Sequence, residues 1–266
     1  MSGRSQPRAR GGNERPKISR ETSVLGGEQV EGRQAVRELL RAGRRTVLEI
    51  WMTPSKEAPV LEEISDLASA TRVRVRKVTH DELAARARTD APQGVLAIAE
   101  PVEPADLDAM LARPDAFVVA LDGVTDPGNL GAVLRVAETA GVTGVIIPRH
   151  RSARLSPAAV KAAAGAVELL PIAAVAGVPA MLDRVGRVGM WAVGLDAGGD
   201  ADVFDLAVAD RPLVLVLGAE GRRISRLARD LCDVIASIPM HGRLDSLNVA
   251  AAAAVACHAI ARQRGR

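Results

Sequence analysis

Aromatic side chains are nearly missing from this 266-residue chain, which has two Phe, two Trp and no Tyr. Base recognition by stacked rings is therefore excluded over most of its length, so any contact with RNA must rest on shape and phosphates. Cysteine is equally scarce. Cys232 and Cys257 have no Cys or His neighbour at ligand spacing, which argues against a zinc site and leaves two reduced, buried thiols as the expectation, with no metal. No apolar run approaches the roughly 20 residues of a membrane span. The N-terminus is basic and polar and lacks the apolar core of a secretory signal, so the expected compartment is the cytoplasm. Lysine stands only at positions 17, 56, 77 and 161, so the 35 basic residues are nearly all arginine, the side chain suited to bidentate phosphate contacts.

What is present is a large apolar fraction, 48%, enough for one large domain or two modest ones. The net charge of +3 is unevenly placed. Arg4, Arg8, Arg10, Arg15, Lys17 and Arg20 face only Glu14 within the first 20 residues, in a stretch of Gly, Pro and Ser that cannot repay ordering entropy. Residues 1–27 are expected to form a disordered basic arm.

From Val30 onward helical and extended patterns alternate. Ala35, Val36, Leu39 and Leu40 share a face of a helix over 32–42. Strands are expected at 47–52, 73–78 and 94–99, with helices near 59–70 and 80–88, giving a compact α/β domain over 28–99. Residues 100–115 carry three prolines and several acids and read as a linker with one short helix. Over 116–266 strands are expected at 116–121, 143–147, 169–172, 189–193, 213–217 and 234–238. Helices are expected at 129–140, 156–164, 177–186, 223–231 and 246–263. Such alternation predicts a mostly parallel sheet covered on both faces, with ligands at the carboxyl ends of the strands.

Three stretches begin at such ends. In LDGVTDPGNLGAVLRVA (121–137) a turn is followed by Asn129, read as a helix N-cap, and by Arg135 almost two turns on. LVLGAEGRRIS (215–225) brings Gly218, Gly221 and Glu220 to the head of a helix, where a carboxylate is favoured by the dipole. IPMHGRLDSLNVAAAA (238–253) ends a strand, turns through a polar loop, and opens an alanine-rich helix with Ser246, read as its N-cap, and Asn248. Gly128-x-x-Gly131 is not the dinucleotide fingerprint, and no acidic residue closes the strand that follows, which argues against a nucleotide-dependent oxidoreductase.

These three stretches, in this order and spacing, resemble the motifs of the SpoU (TrmH-like) RNA ribose 2'-O-methyltransferases of the SPOUT class, over residues 29 to 263. Pro92-Gln93-Gly94 resembles the end of the small ribosomal-protein-like domain that precedes the catalytic domain in the ribosomal-RNA branch. The resemblance implies an α/β fold with a trefoil knot and mostly parallel sheet, S-adenosylmethionine as cofactor, a homodimer, and a guanosine of 23S ribosomal RNA as target. On the same analogy the catalytic positions are Asn129, Arg135, Glu220, Ser246 and Asn248. The cofactor pocket would be built from Gly194, Leu195, Leu217, Gly218, Ile238, Met240 and Leu247. Arg135 is proposed in this family as general base; because a guanidinium stays protonated, a phosphate clamp is the better expectation. Arg149, Arg151 and Arg154 form a candidate RNA phosphate track. Arg223, Ala250 and Pro92 stand where relatives often carry Gly, Ser and His. A transfer-RNA target and a non-catalytic RNA-binding protein of the same fold are the rival readings.

If the arm supplies sequence-independent attraction, deleting residues 1–27 will weaken RNA binding and flatten its dependence on salt concentration, as measured by filter binding between 50 and 200 mM salt. An unchanged slope assigns the arm no part in binding.

Overall fold

The computed structural model describes residues 25–54, 59–219 and 223–265. The basic arm up to residue 24, and Glu220, lie outside the described residues. The N-terminal unit runs β1 (Gln29–Glu31), α1 (Arg33–Ala42), β2 (Val47–Met52), α2 (Pro59–Ala70), β3 (Val75–Lys77), α3 (His80–Arg86) and β4 (Val95–Ala99). Its four strands are ordered β1-β4-β2-β3, with β4 antiparallel to both neighbours and β2 parallel to β3. Helix α1 buries the four apolar residues of its expected face against this sheet. Helix α3 starts on a reciprocal cap, the Thr79 hydroxyl accepting from the Glu82 amide while the Glu82 carboxylate accepts from the Thr79 amide. The basic residues around β3 are partly accounted for, since the Arg76 and Arg86 guanidiniums lie 5.3 and 4.5 Å from the ring centroid of Trp51.

The C-terminal unit continues with α4 (Leu107–Leu111), β5 (Phe117–Asp122), α5 (Pro127–Thr139), β6 (Gly144–Pro148), α6 (Pro157–Ala162), α7 (Ala166–Leu169), β7 (Ile172–Val175) and α8 (Val178–Arg187). It ends with β8 (Trp191–Leu195), β9 (Ala201–Asp202), a 3-10 turn at Val203–Asp205, β10 (Leu213–Gly218), α9 (Arg226–Asp230), β11 (Val234–Ser237) and α10 (Val249–Gln263). The seven strands are ordered β7-β6-β5-β10-β8-β11-β9, and every pair is parallel. Alternate residues of the central strands feed opposite cores: Phe117, Val119 and Leu121 pack with α5 and α10, whereas Val118 and Ala120 pack with α4 and α8. Helices α5 and α6 lie so close at Gly131 that a Cβ there would come within 2.3 Å of the Ala159 carbonyl oxygen.

Three expectations are corrected. Strand β7 lies at 172–175 and not 169–172, because Ala164 (φ 51°) and Gly165 (φ 102°) break the preceding helix and start the short α7, which runs through Leu169 and ends at Leu170. Helix α5 is capped by Asp126, whose carboxylate accepts from the Asn129 amide at 2.7 Å, so Asn129 is freed from the cap. Helix α10 begins at Val249 and is capped by Asn248, and Ser246 stands outside it.

The two units share one continuous hydrophobic core. Leu25 is buried, its carbonyl accepts from the Leu155 amide at 2.9 Å, and Gly26 pairs with Leu155, so ordered chain begins before the expected end of the arm. The stretch 100–115 is pinned as well, through Val102 to Gly26 and Ala105 to Ile172. At the centre of the seam Arg45 and Glu168, only 7% and 3% exposed, form a bidentate pair at 3.0 and 2.5 Å, and Arg45 Nη1 donates to the carbonyls of Gly27 and Glu100. Breaking such a pair leaves a buried charge without compensation. Arg45→Ala is expected to cost about 3–5 kcal/mol in urea unfolding, and Arg45→Met combined with Glu168→Leu considerably less; equal losses would mean that the pair's charges carry no weight at the seam.

Candidate active site

Because all strands of the larger sheet run the same way, their carboxyl ends lie along one rim. On that rim β10 is flanked by β5 and β8, with Leu217 in register with Leu121 on one side and Leu195 on the other. The chain leaving β11 at Ile238 passes over these ends to reach α10, which packs on α5 beyond them. Between the crossing segment and the strand ends is a cavity of about 440 Å3, a size that admits a nucleoside-sized ligand.

Of the residues expected to hold a cofactor, Leu195, Leu217, Gly218, Ile238, Met240 and Leu247 line this cavity. Gly194 does not. A Cβ at Gly194 would meet Ile224, Cys232 and Ile235 at 2.6 to 3.1 Å, so its face is turned to the core below the cavity. Ser246 lines the cavity, and its hydroxyl is 3.4 Å from the Asp245 carboxylate. The lining is mainly aliphatic, with strand-end backbone exposed between the side chains, a surface suited to a flat base. Asp196, Arg223 and Asp245 are its charged members and were not anticipated. The one available signal for Asp196 was an acidic residue directly after a strand.

The first and third stretches meet at a side-chain hydrogen bond. Asn248 Nδ2 donates to Asn129 Oδ1 at 2.9 Å across 119 residues of sequence, while Asn248 Oδ1 accepts from the Ala250 amide at 2.8 Å. One asparagine thus caps α10 and orients the asparagine on α5. Release of Asn129 from capping, which Asp126 performs, makes this contact available. Arg135 is exposed on α5, with no hydrogen-bond partner among the described residues. Six residues of regular helix turn it about 120° from Asn129 and carry it about 9 Å along the axis, so the structure does not bring it into direct contact with the asparagine pair. The middle stretch is held to the rim by the Ser225 amide, which donates to the Asp122 carboxylate at 2.7 Å. Glu220 lies outside the described residues.

Arg149, Arg151 and Arg154 are exposed on the loop after β6, where Arg151 adopts a left-handed conformation (φ 55°). Arg154 also lines a groove between the two units together with Arg86, Arg88 and Trp51. Neither thiol takes part in the site. Cys257 is buried in α10, and burial pushes both Cys232 and Cys257 up to about 12. No cluster of His, Cys, Asp and Glu that could hold a metal ion occurs among the described residues.

Known families match both units. Residues 116–258 match the SpoU rRNA Methylase family, and residues 29–105 match the RNA 2'-O ribose methyltransferase substrate-binding domain. The chain belongs to the SpoU methylase family. It is 38% identical to the 23S rRNA (guanosine-2'-O-)-methyltransferase RlmB of Pseudomonas aeruginosa, the alignment covering 89% of this chain and 97% of that one. It is also 38% identical to an uncharacterized tRNA/rRNA methyltransferase of Mycobacterium ulcerans, over 89% of this chain and 77% of the relative. Among solved structures it is similar to the SpoU methyltransferase AviRb of Streptomyces viridochromogenes, with TM-score 0.76, 30% identity and 91% of each chain covered. AviRb in complex with AdoMet matches with TM-score 0.76 and 29% identity, over 89% of this chain and 90% of that one. A SpoU methylase of this kind uses S-adenosylmethionine, and the aliphatic cavity at the strand ends has the size and lining for its adenosine.

The double role of Asn248 can be separated by substitution. Asn248→Ala is expected to lower stability by about 1 kcal/mol through loss of the α10 cap, and Asn248→Ser to recover most of that. Urea unfolding measures both, and a serine variant no more stable than the alanine variant would rule out capping as the source of the loss.

Proposed function

We propose that this SpoU methylase transfers a methyl group from S-adenosylmethionine to the ribose 2'-hydroxyl of a guanosine in 23S ribosomal RNA. The observation that carries the reading is the Asn248–Asn129 hydrogen bond beside the cavity, which joins the helix heads of two distant motifs next to an adenosine-sized pocket. Leu195, Leu217, Ile238, Met240 and Leu247 would enclose the base, and the backbone at Gly218 would approach it closely. When bound, the cofactor supplies an electrophilic methyl group. Asn129, fixed by Asn248, would orient the target ribose, and Arg135 would hold the adjacent phosphate, which can then assist removal of the hydroxyl proton. Holding the reactants in attack geometry is the main contribution required of these side chains, worth roughly 7–11 kcal/mol. Glu220 would position the arginine or the substrate, and Ser246 would complete the floor.

The ribosomal target is favoured by the N-terminal unit, which matches the substrate-binding domain of RNA 2'-O ribose methyltransferases, and by the similarity to the Pseudomonas 23S rRNA methyltransferase. Arg149, Arg151 and Arg154 would follow the RNA backbone as phosphate contacts. The reading includes a cytoplasmic enzyme, in keeping with the absence, among the described residues, of any helix long and apolar enough to cross a membrane. It also includes a trefoil knot, formed if the segment 196–212 encircles the crossing chain 238–248, and a homodimer. Ala253, Ala256 and Ala259 of α10 are buried inside the chain, whereas Ala251 is exposed and Ala250, Ala252 and Ala254 are half-buried, so the outer side of α10 is available to the dimer surface. Leu244, exposed by 77% in the crossing segment, would add an apolar side chain to that surface.

The test is transfer of labelled methyl from S-adenosylmethionine to 23S ribosomal RNA and to transfer RNA, followed by mapping of the 2'-O-methylated nucleotide. Labelled guanosine in 23S RNA is the expected product, with turnover falling by a factor on the order of 100 or more in Asn129→Ala and Arg135→Ala. Labelling of transfer RNA alone would move the substrate, and no labelling of either RNA would remove the enzyme reading. Light scattering of the same preparation should give twice the chain mass. A monomer with full turnover would exclude the dimer, and an experimental trace in which 196–212 fails to encircle 238–248 would exclude the knot.

A further inference from the structure

We infer that Asp196 binds the 2',3'-diol of the cofactor's own ribose. The inference rests on the cavity being the S-adenosylmethionine site. Asp196 follows Leu195 directly at the carboxyl end of β8 and borders the cavity. Its side chain is wholly buried, 0% exposed, and its two oxygens differ in what surrounds them. Oδ1 accepts from the Gly198 amide at 3.0 Å and lies 3.4 Å from Arg223 Nη1 and 3.3 Å from Arg229 Nη1. Oδ2 is buried with no hydrogen-bond donor among the described residues. A buried oxygen in that condition carries a full desolvation penalty. Beside a ligand cavity, the penalty is relieved when the ligand brings the donor.

S-adenosylmethionine offers three kinds of donor: the adenine amino group, the two ribose hydroxyls and the α-ammonium. The ammonium is disfavoured, since Arg223 and Arg229 already place two cations within 3.4 Å of this carboxylate. The adenine edge belongs with the aliphatic sleeve to which Leu195 contributes. Asp196 follows Leu195 directly and lines the same cavity, so a base held by the aliphatic sleeve would place its attached sugar within reach of the carboxylate. A cis-diol presents two O–H donors to one carboxylate, the same chemistry by which an acidic side chain near a strand end holds an adenosine ribose in dinucleotide folds. Arg223 is itself 71% exposed and pairs with Oδ1, so it can shift toward solvent without leaving Asp196 uncompensated while Arg229 stays in place.

Calorimetry of the full-length protein with S-adenosylhomocysteine, its 2',3'-dideoxy analogue and 5'-methylthioadenosine tests this without requiring turnover. Asp196→Asn is expected to weaken S-adenosylhomocysteine and 5'-methylthioadenosine by the same factor, about ten- to a hundredfold, and to leave the dideoxy analogue unchanged. Equal weakening of all three ligands, or none, overturns the inference. Weakening of S-adenosylhomocysteine with 5'-methylthioadenosine untouched would assign Asp196 to the amino-acid tail and overturns it equally. Failure of the unsubstituted protein to bind S-adenosylhomocysteine would instead overturn the cofactor site on which the inference rests. If Asp196→Asn does not fold, Asp196→Glu, which keeps the charge beside the two arginines but displaces the oxygen, is read against the same ligands.

Discussion

The rest of the molecule depends on a constraint of direction. Seven strands all run the same way, so the chain must cross the sheet after each one and delivers every strand end to a single rim. The central position of β10, between β5 and β8, brings Asp122, Leu195 and Gly218 side by side there. A single overhead segment between β11 and α10 then converts this rim into a cavity. Specificity of the site is thus a matter of which residues fall at strand ends and helix heads, and it needs few aromatics.

Much of this could be read in advance because both periodicities are strong. The central strands are continuous apolar runs bounded by Gly, Asp or Pro, and α1, α8 and α10 keep clear apolar faces. The elements missed are those held by something other than pattern. Strand β1, reading QVE, is placed by the buried Glu31 carboxylate, which accepts from Gln29, from the amides of Arg88 and Thr89 and from the Thr89 hydroxyl. The two-residue β9 and the 3-10 turn are stabilised by tertiary contacts, Gln263 bonding the Leu206 amide and the Val203 carbonyl. No local signal distinguishes such stretches from loop.

The site was readable as three stretches but not as a geometry. Asn129 and Asn248 were identifiable, whereas their direct bond depended on which neighbour capped each helix, and Asp126 and Ser246 were both chemically competent for that role. Gly194 and Asp196 show the same limit from two sides. They flank Leu195, but Gly194 lies within β8 with its side turned to the core, whereas Asp196 lies just past the strand end and borders the cavity. The seam between the units was unreadable because Arg45 and Glu168 are 123 residues apart and look like ordinary surface charges.

The crossing segment 238–248 and the cap of α10 also set an order of assembly in time. Domains emerge and fold from the N-terminus during synthesis, so the smaller sheet and the first strands of the larger one are available long before Asn248 is made. The last wall of the cavity and the asparagine pair form only when α10 has been synthesised and packs on α5. A nascent chain therefore completes its smaller sheet first and closes the cavity last, so the pocket at the strand ends exists only once the whole chain has been made.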